Sequence, residues 1–106
     1  MDVQLKRGLL DVCVLAAIRS EASYGYKIIN DMKPYLSLSE STLYTILKRL
    51  ESAGMLTVRS AEHNGRLRKY YSITRAGLKR IEEFQAEWQE MLAIYRFVTR
   101  EDAKDE

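Results

Sequence analysis

Two observations on this 106-residue sequence predict a mainly α-helical fold carrying one small β-hairpin. Four stretches place apolar residues at helical spacing between capping residues, a proline or a glycine. One stretch, Leu56 to Ile73, instead alternates apolar and polar residues on either side of an Asn64-Gly65 pair, which is a hairpin turn signal. A composition of 46% hydrophobic and 30% charged residues suits one compact domain, stabilised further by association.

Residues 4 to 20 read as the first helix, and its second half is apolar nearly all round, so several neighbours must cover it. Ser23 is the expected cap of a short second helix, Tyr24 to Lys33, which turns Ile28, Ile29 and Met32 inward and is ended by Pro34.

The third helix lies between Ser39, whose hydroxyl can accept a free amide of the first turn, and Gly54, which can take the left-handed conformation that closes a helix. At about 100° per residue, Leu43, Ile46, Leu47, Leu50 and Ala53 share one face. Ser41, Thr45, Lys48 and Ser52 share the opposite one, flanked by Tyr44 and Arg49. An outer face of hydroxyls and cations without a central acid suits base edges and phosphates in a DNA major groove. The short connector from Lys33 to Leu38 makes helices two and three a helix-turn-helix, so helix three is the expected recognition helix.

With Asn64 and Gly65 as turn residues, paired positions in the hairpin sum to 129. This sets Val58 opposite Tyr71 and Leu56 opposite Ile73, apolar against apolar. Arg66 and Arg68 then fall near the tip, where a projecting hairpin reaches sugar and phosphate. Lys69 shares a face with Leu67 and Tyr71. A helix-turn-helix followed by such a hairpin is a winged helix.

Thr74 is the expected cap of a long final helix from Arg75 to about Val98. Ile81, Phe84, Trp88, Met91, Tyr95 and Val98 recur at alternating spacings of three and four, a heptad seam, with Leu78 and Leu92 beside it. Such a seam calls for a partner helix, and with the apolar first helix it predicts a homodimer about a two-fold axis. Residues 1–74 are thus the winged helix-turn-helix DNA-binding part. Residues 75–106 are the C-terminal dimerisation helix and a charged tail that frays from Thr99.

Net charge is only +2, but its distribution is uneven. Nine bases face two acids between Ser41 and Arg80, which leaves eight bases and thirteen acids of the chain's 17 and 15 for the remainder. A local basic field on an acidic background is the electrostatic pattern of a phosphate-facing surface.

Other functions find little support. One cysteine, Cys13, allows no internal disulfide, and one histidine, His63, with one distant cysteine makes no ordinary zinc site, so no metal or other cofactor is expected. The apolar run from Leu9 to Ile18 contains Asp11 and is too short to span a bilayer, so no membrane partner is expected and the compartment read is cytoplasmic. No nucleophile, base and orienting group combine plausibly, and there is no phosphate loop, so the chain is not read as an enzyme.

Tyr24-Gly25-Tyr26, Ser41-Thr42-Leu43-Tyr44 leading to Leu47-Lys48-Arg49-Leu50-Glu51 and Gly54, then Arg68-Lys69-Tyr70-Tyr71 with Ile73-Thr74 and Gly77, resemble the PadR-like transcriptional regulators across residues 9 to 98. The resemblance implies a bacterial homodimeric winged-helix repressor that controls a detoxification or efflux gene and is released by a small molecule. With one C-terminal helix the chain looks like the small subgroup, and it is especially similar to the multidrug-sensing repressors. In those proteins a tryptophan of the last helix meets its symmetry mate across a flat dimer pore where planar aromatic compounds stack. Trp88, nineteen residues after Lys69, matches that position, with Phe84, Met91 and Leu92 around it. Leu67 departs from the continuous basic run of related wings, and Glu83, Glu87 and Glu90 place acids near Trp88.

The resulting expectation is a homodimer on double-stranded DNA with a palindromic operator. Tyr24, Ser41, Tyr44, Thr45, Lys48, Arg49, Arg66, Arg68 and Lys69 face the nucleic acid, and a planar aromatic inducer binds at the dimer interface. Two alternatives stand beside it: a winged-helix protein-interaction module without DNA binding, and a repressor whose dimer interface has no ligand pocket.

Overall fold

In the computed structural model, which describes residues 1–100, the chain forms four helices and one hairpin in the order α1 (Val3–Ala17), α2 (Gly25–Met32), α3 (Glu40–Ser52), β1 (Leu56–His63), β2 (Arg66–Ile73) and α4 (Arg75–Val98). This is the winged helix read from the sequence. Most of the charged tail lies outside the described residues.

Each boundary has a local cause. Asp2 caps α1 by accepting the Leu5 amide, and the helix stops three residues before the expected end because Ile18 leaves helical geometry and turns its side chain into the core. Ser39 caps α3 by accepting the Thr42 amide, and Gly54 follows at φ 74°, a conformation costly for any residue with a Cβ. Ala53 is exposed rather than buried, since it is the residue at which α3 already unwinds. Thr74 caps α4 through the Gly77 amide and donates its own hydroxyl to the Gly54 carbonyl, which ties the start of α4 to the end of α3.

Ser23 corrects the expected start of the second helix. Tyr24 holds the cap position without a side-chain hydrogen bond, and Ser23 pairs with β2 instead. Its amide donates to the Tyr71 carbonyl at 3.0 Å and its carbonyl accepts the Tyr71 amide at 2.7 Å. Ser23 is 2% exposed, and its Oγ meets no polar partner among the described residues. Backbone pairing with the hairpin has taken precedence over capping.

The hairpin keeps the expected register, with Leu56 opposite Ile73, Val58 opposite Tyr71 and His63 opposite Arg66. Asn64 at φ 52° and Gly65 at φ 78° give the two positive-φ residues that a tight hairpin with right-handed twist requires.

The core lies where α1, α2, α3, the base of the hairpin and the start of α4 converge. Leu15, Ile18, Ile28, Leu43, Leu47 and Leu56 are almost completely sealed there, each contributing about 1.5–3 kcal/mol by leaving water. α4 joins this core only through its first turns: Ile81 is buried and Phe84 packs at the edge. Gly77 is buried and lies so close to the Met55 carbonyl that no side chain would fit. Farther along α4, Trp88, Met91, Tyr95 and Val98 are exposed, and so are Ile94 and Phe97. No described helix is long and apolar enough to cross a membrane.

Candidate nucleic-acid interface

The helical period of α3 separates its side chains cleanly. Leu43, Ile46, Leu47 and Leu50 are buried, whereas Ser41, Tyr44, Thr45 and Lys48 stand in solvent. Thr45 Oγ donates to the Ser41 carbonyl at 2.9 Å, so its hydroxyl proton is committed to the backbone and its lone pairs and methyl group face outward. Ser39 Oγ lies 3.3 Å from Ser41 Oγ and 2.9 Å from Thr42 Oγ, gathering three hydroxyls at the start of the helix.

Two open clefts separate α3 from the hairpin. The larger, about 730 Å³, runs from the start of α2 past Tyr44 to the hairpin tip, where Arg66, Leu67 and Arg68 line it. The second, about 360 Å³, sets Tyr44, Thr45 and Lys48 of α3 against Lys69 and Tyr71 of β2, with Glu51 the one acid on its wall. Lys69 thus faces α3, and among the described residues neither Lys48 nor Lys69 is held in an ion pair. Tyr71, at the floor, has its phenol pKa raised mainly by burial, with the Tyr44 phenol and Glu51 carboxylate adding to the shift.

Arg68 and Tyr24 are brought together, but as a stack. The Arg68 guanidinium sits 3.8 Å from the centre of the Tyr24 ring, Tyr24 meets Tyr70 edge-on at 5.9 Å, and Arg59 covers Tyr70 at 5.1 Å. This alternation of cations and rings fastens the hairpin to the start of α2. Tyr24 is half-buried beneath it, while Tyr26, two residues on, is 68% exposed on the wall of the larger cleft. Tyr26 is therefore the free phenol of α2, and sequence reasoning missed it because both tyrosines belong to one short motif. Only the cation on the wing face, Arg68, distinguishes which ring it covers.

Gly25, between these tyrosines, is buried with the Tyr44 hydroxyl pressed against it, and a Cβ there would lie 2.7 Å from that oxygen. The absence of a side chain at Gly25 lets Tyr44 lean from α3 onto the start of α2.

Arg49 does not join this face. Its guanidinium pairs with Asp11 of α1, both side chains being largely covered, and its Nε is buried without a partner among the described residues. The expectation that Arg49 reaches phosphate meets an arginine already engaged within the fold.

Comparison with known proteins agrees with this architecture. Residues 14–83 match the model of the transcriptional regulator PadR-like family. The chain belongs to the PadR-like family. It is therefore a transcriptional regulator and not an enzyme. It is similar to a PadR-like transcription factor from Bacteroides fragilis, with 31% identity over 91% of this chain and 95% of that one and a TM-score of 0.82. A Streptococcus mutans UA159 protein is 40% identical, with 89% of this chain and 90% of that one covered and a TM-score of 0.77. Bacillus subtilis PadR, solved in complex with operator DNA, shares the fold at 24% identity and a TM-score of 0.68, over 73% of this chain and 47% of that one. No curated protein sequence matches.

In this PadR-like chain the seam of α4 stands apart from the clefts. Phe84 and Trp88 stack with centroids 6.3 Å apart and planes at 24°, leaving Trp88 47% exposed at the near end of an apolar strip that continues to Val98. Leu92 is half-buried beside it.

Proposed function

We propose that this regulator acts as a homodimeric DNA-binding repressor of the cytoplasm, with residues 1–74 contacting DNA and the helix from Arg75 onward pairing the protomers. The observation that carries the reading is the outer face of α3, where Ser41, Tyr44, Thr45 and Lys48 are exposed beside a cleft whose far wall bears Lys69. A helix bearing hydroxyls and a cation, flanked by a basic hairpin, suits a major groove with phosphates on its rim. The family match and the operator complex of Bacillus subtilis PadR support the same reading.

Ser41, Thr45 and Lys48 meet base edges or adjacent phosphates, Tyr44 and Tyr26 reach the backbone, and Arg66 and Lys69 add wing contacts. Arg68 orients the wing through its stack on Tyr24. Pairing α4 with a second copy buries the strip from Trp88 to Val98 and sets two recognition helices about 34 Å apart on a palindromic site. A planar aromatic inducer stacking on Trp88, with Phe84, Met91 and Leu92 around it, would favour a different separation and so release DNA by its differential affinity for the two forms.

A mobility-shift assay on a fragment carrying the protein's own upstream region tests the DNA claim. About eight phosphate contacts give a slope near −7 for log affinity against log salt, and Lys48→Ala weakens the shift. Absence of any shift at low salt would overturn the reading in favour of a protein-interaction module. Titration of planar aromatic compounds against Trp88 fluorescence tests the pocket separately, and an unchanged signal with every compound would leave a repressor with a solid interface.

A further inference from the structure

The outer face of α3 is a ridge with a cleft on each side, and only one of those clefts belongs to the wing. On the other side, a largely apolar cleft of about 380 Å³ carries Lys6 and Arg7 of α1 and Thr42, Thr45 and Arg49 of α3 among its lining residues. Lys6 also lines the adjoining cleft, beside Ser39 and Thr42 at the start of α3. Thr45 is thus shared between a wall bearing Lys48 and Lys69 and a wall bearing Lys6 and Arg7.

We infer that Lys6 and Arg7 form a second phosphate-binding wall of the DNA interface, opposite the wing; this rests on the DNA-binding reading above. A helix lying in a major groove about 12 Å wide has a phosphate strand on both sides. The wing supplies cations toward one strand. The first turns of α1 are the element that lies along the other side of α3.

The surrounding charges favour this role. Lys6 and Arg7 are exposed and enter no ion pair among the described residues. Asp11, four residues after Arg7, is engaged by Arg49, and Asp2 is engaged as the cap of α1. Glu40, the first residue of α3, is exposed but does not line this cleft. Asp11 and Asp2 are thus engaged within the fold, Glu40 stands outside the cleft, and two cations without ion pairs among the described residues face outward beside Thr45. The Asp11–Arg49 pair also holds α1 against α3, so the two cations are carried on a braced helix.

The test measures the affinity of the full chain for its upstream fragment, and for an arbitrary duplex of equal length, across a salt series. The double variant Lys6→Ala/Arg7→Ala removes four cations per dimer and lowers the steepness of the salt dependence by about three to four units, equally on both DNAs. Lys6→Arg/Arg7→Lys keeps the wild-type slope, and Arg19→Ala, just beyond the far end of α1, leaves it unchanged. A double variant with the wild-type slope overturns the inference while leaving the DNA reading intact. A double variant that sediments as a monomer where the wild type sediments as a dimer overturns it too, because the cations would then act through assembly. Failure of the wild type itself to bind either DNA overturns the parent reading and this one together.

Discussion

Arg49 of α3 points back into the fold and pairs with Asp11 of α1, although it sits one residue after Lys48, which stands in solvent. A single step along a helix turns the side chain by about 100°, enough to convert a solvent-facing position into a brace between helices. Arg49→Ala and Asp11→Ala should each destabilise the protein, and their combination should cost less than the sum, with a coupling of about 1–2 kcal/mol. Chemical denaturation of the four species measures this. Arg49→Ala should leave the salt slope of DNA binding nearly unchanged, whereas Lys48→Ala should reduce it.

Gly25→Ala isolates the contact between α2 and Tyr44. The added methyl would lie 2.7 Å from the Tyr44 hydroxyl, the far end of a side chain that can swing away. Melting temperature should therefore fall little, while DNA affinity drops by roughly three- to tenfold, as expected for displacing the DNA-backbone hydrogen bond proposed for Tyr44, worth about 1 kcal/mol. Tyr44→Phe/Gly25→Ala should then bind no worse than Tyr44→Phe alone.

Gly77→Ala should behave in the opposite way. Its new Cβ would meet the Met55 carbonyl and lie 2.6 Å from Ile73 Cγ1, and neither backbone nor packed core can give way cheaply. A loss of about 1–3 kcal/mol of stability follows, read as a lower denaturation midpoint with an unchanged slope.

Trp88→Ala should weaken self-association. Removing a large aromatic from the exposed apolar strip costs about 2 kcal/mol or more, roughly a thirtyfold rise in dimer Kd. Sedimentation across a concentration series checks this, and Arg96→Ala on the same helix provides the comparison.

Alkaline pH gives a further test. Burial raises the pKa of the Cys13 thiol and, with help from Tyr44 and Glu51, that of the Tyr71 phenol. For both groups the folded state favours the protonated form, so their contribution to stability is complete below the unfolded pKa and is lost as pH rises beyond it. The window opens above about 8.5 for the thiol and about 10 for the phenol. Tyr71→Phe should flatten the fall in melting temperature above that second value, and Cys13→Ala the earlier part.

What the sequence disclosed and what it concealed divide along physical lines. The caps at Ser39 and Thr74, the Asn64-Gly65 turn and the hairpin register are short-range, each decided by a few neighbouring residues, and all are found in the fold. Ser23 was misread because a serine before a helix is a good cap only if its backbone has no better partner, and Tyr71 supplies one from forty-eight residues away. The Arg49–Asp11 pair, the Arg68–Tyr24 stack and the placement of Lys6 and Arg7 beside Thr45 likewise depend on tertiary proximity. The uneven charge count singles out α3 and the hairpin but leaves Lys6 and Arg7 in the acidic remainder, because it runs along the chain and not across the helices.

The bridge between Ser23 and Tyr71 and the stack of Arg68 on Tyr24 fasten the hairpin to the start of α2, while its turn at Asn64 and Gly65 is exposed beyond them. Tyr71 and Arg66 lie five steps apart along β2, a span of about 17 Å at strand spacing. The wing is thus a cantilever clamped at the threshold of α2, and a small tilt of that helix is magnified at the arginine on the tip. Any event that rocks α2, including a change in the distance between two copies, would move the wing farther than it moves the helix.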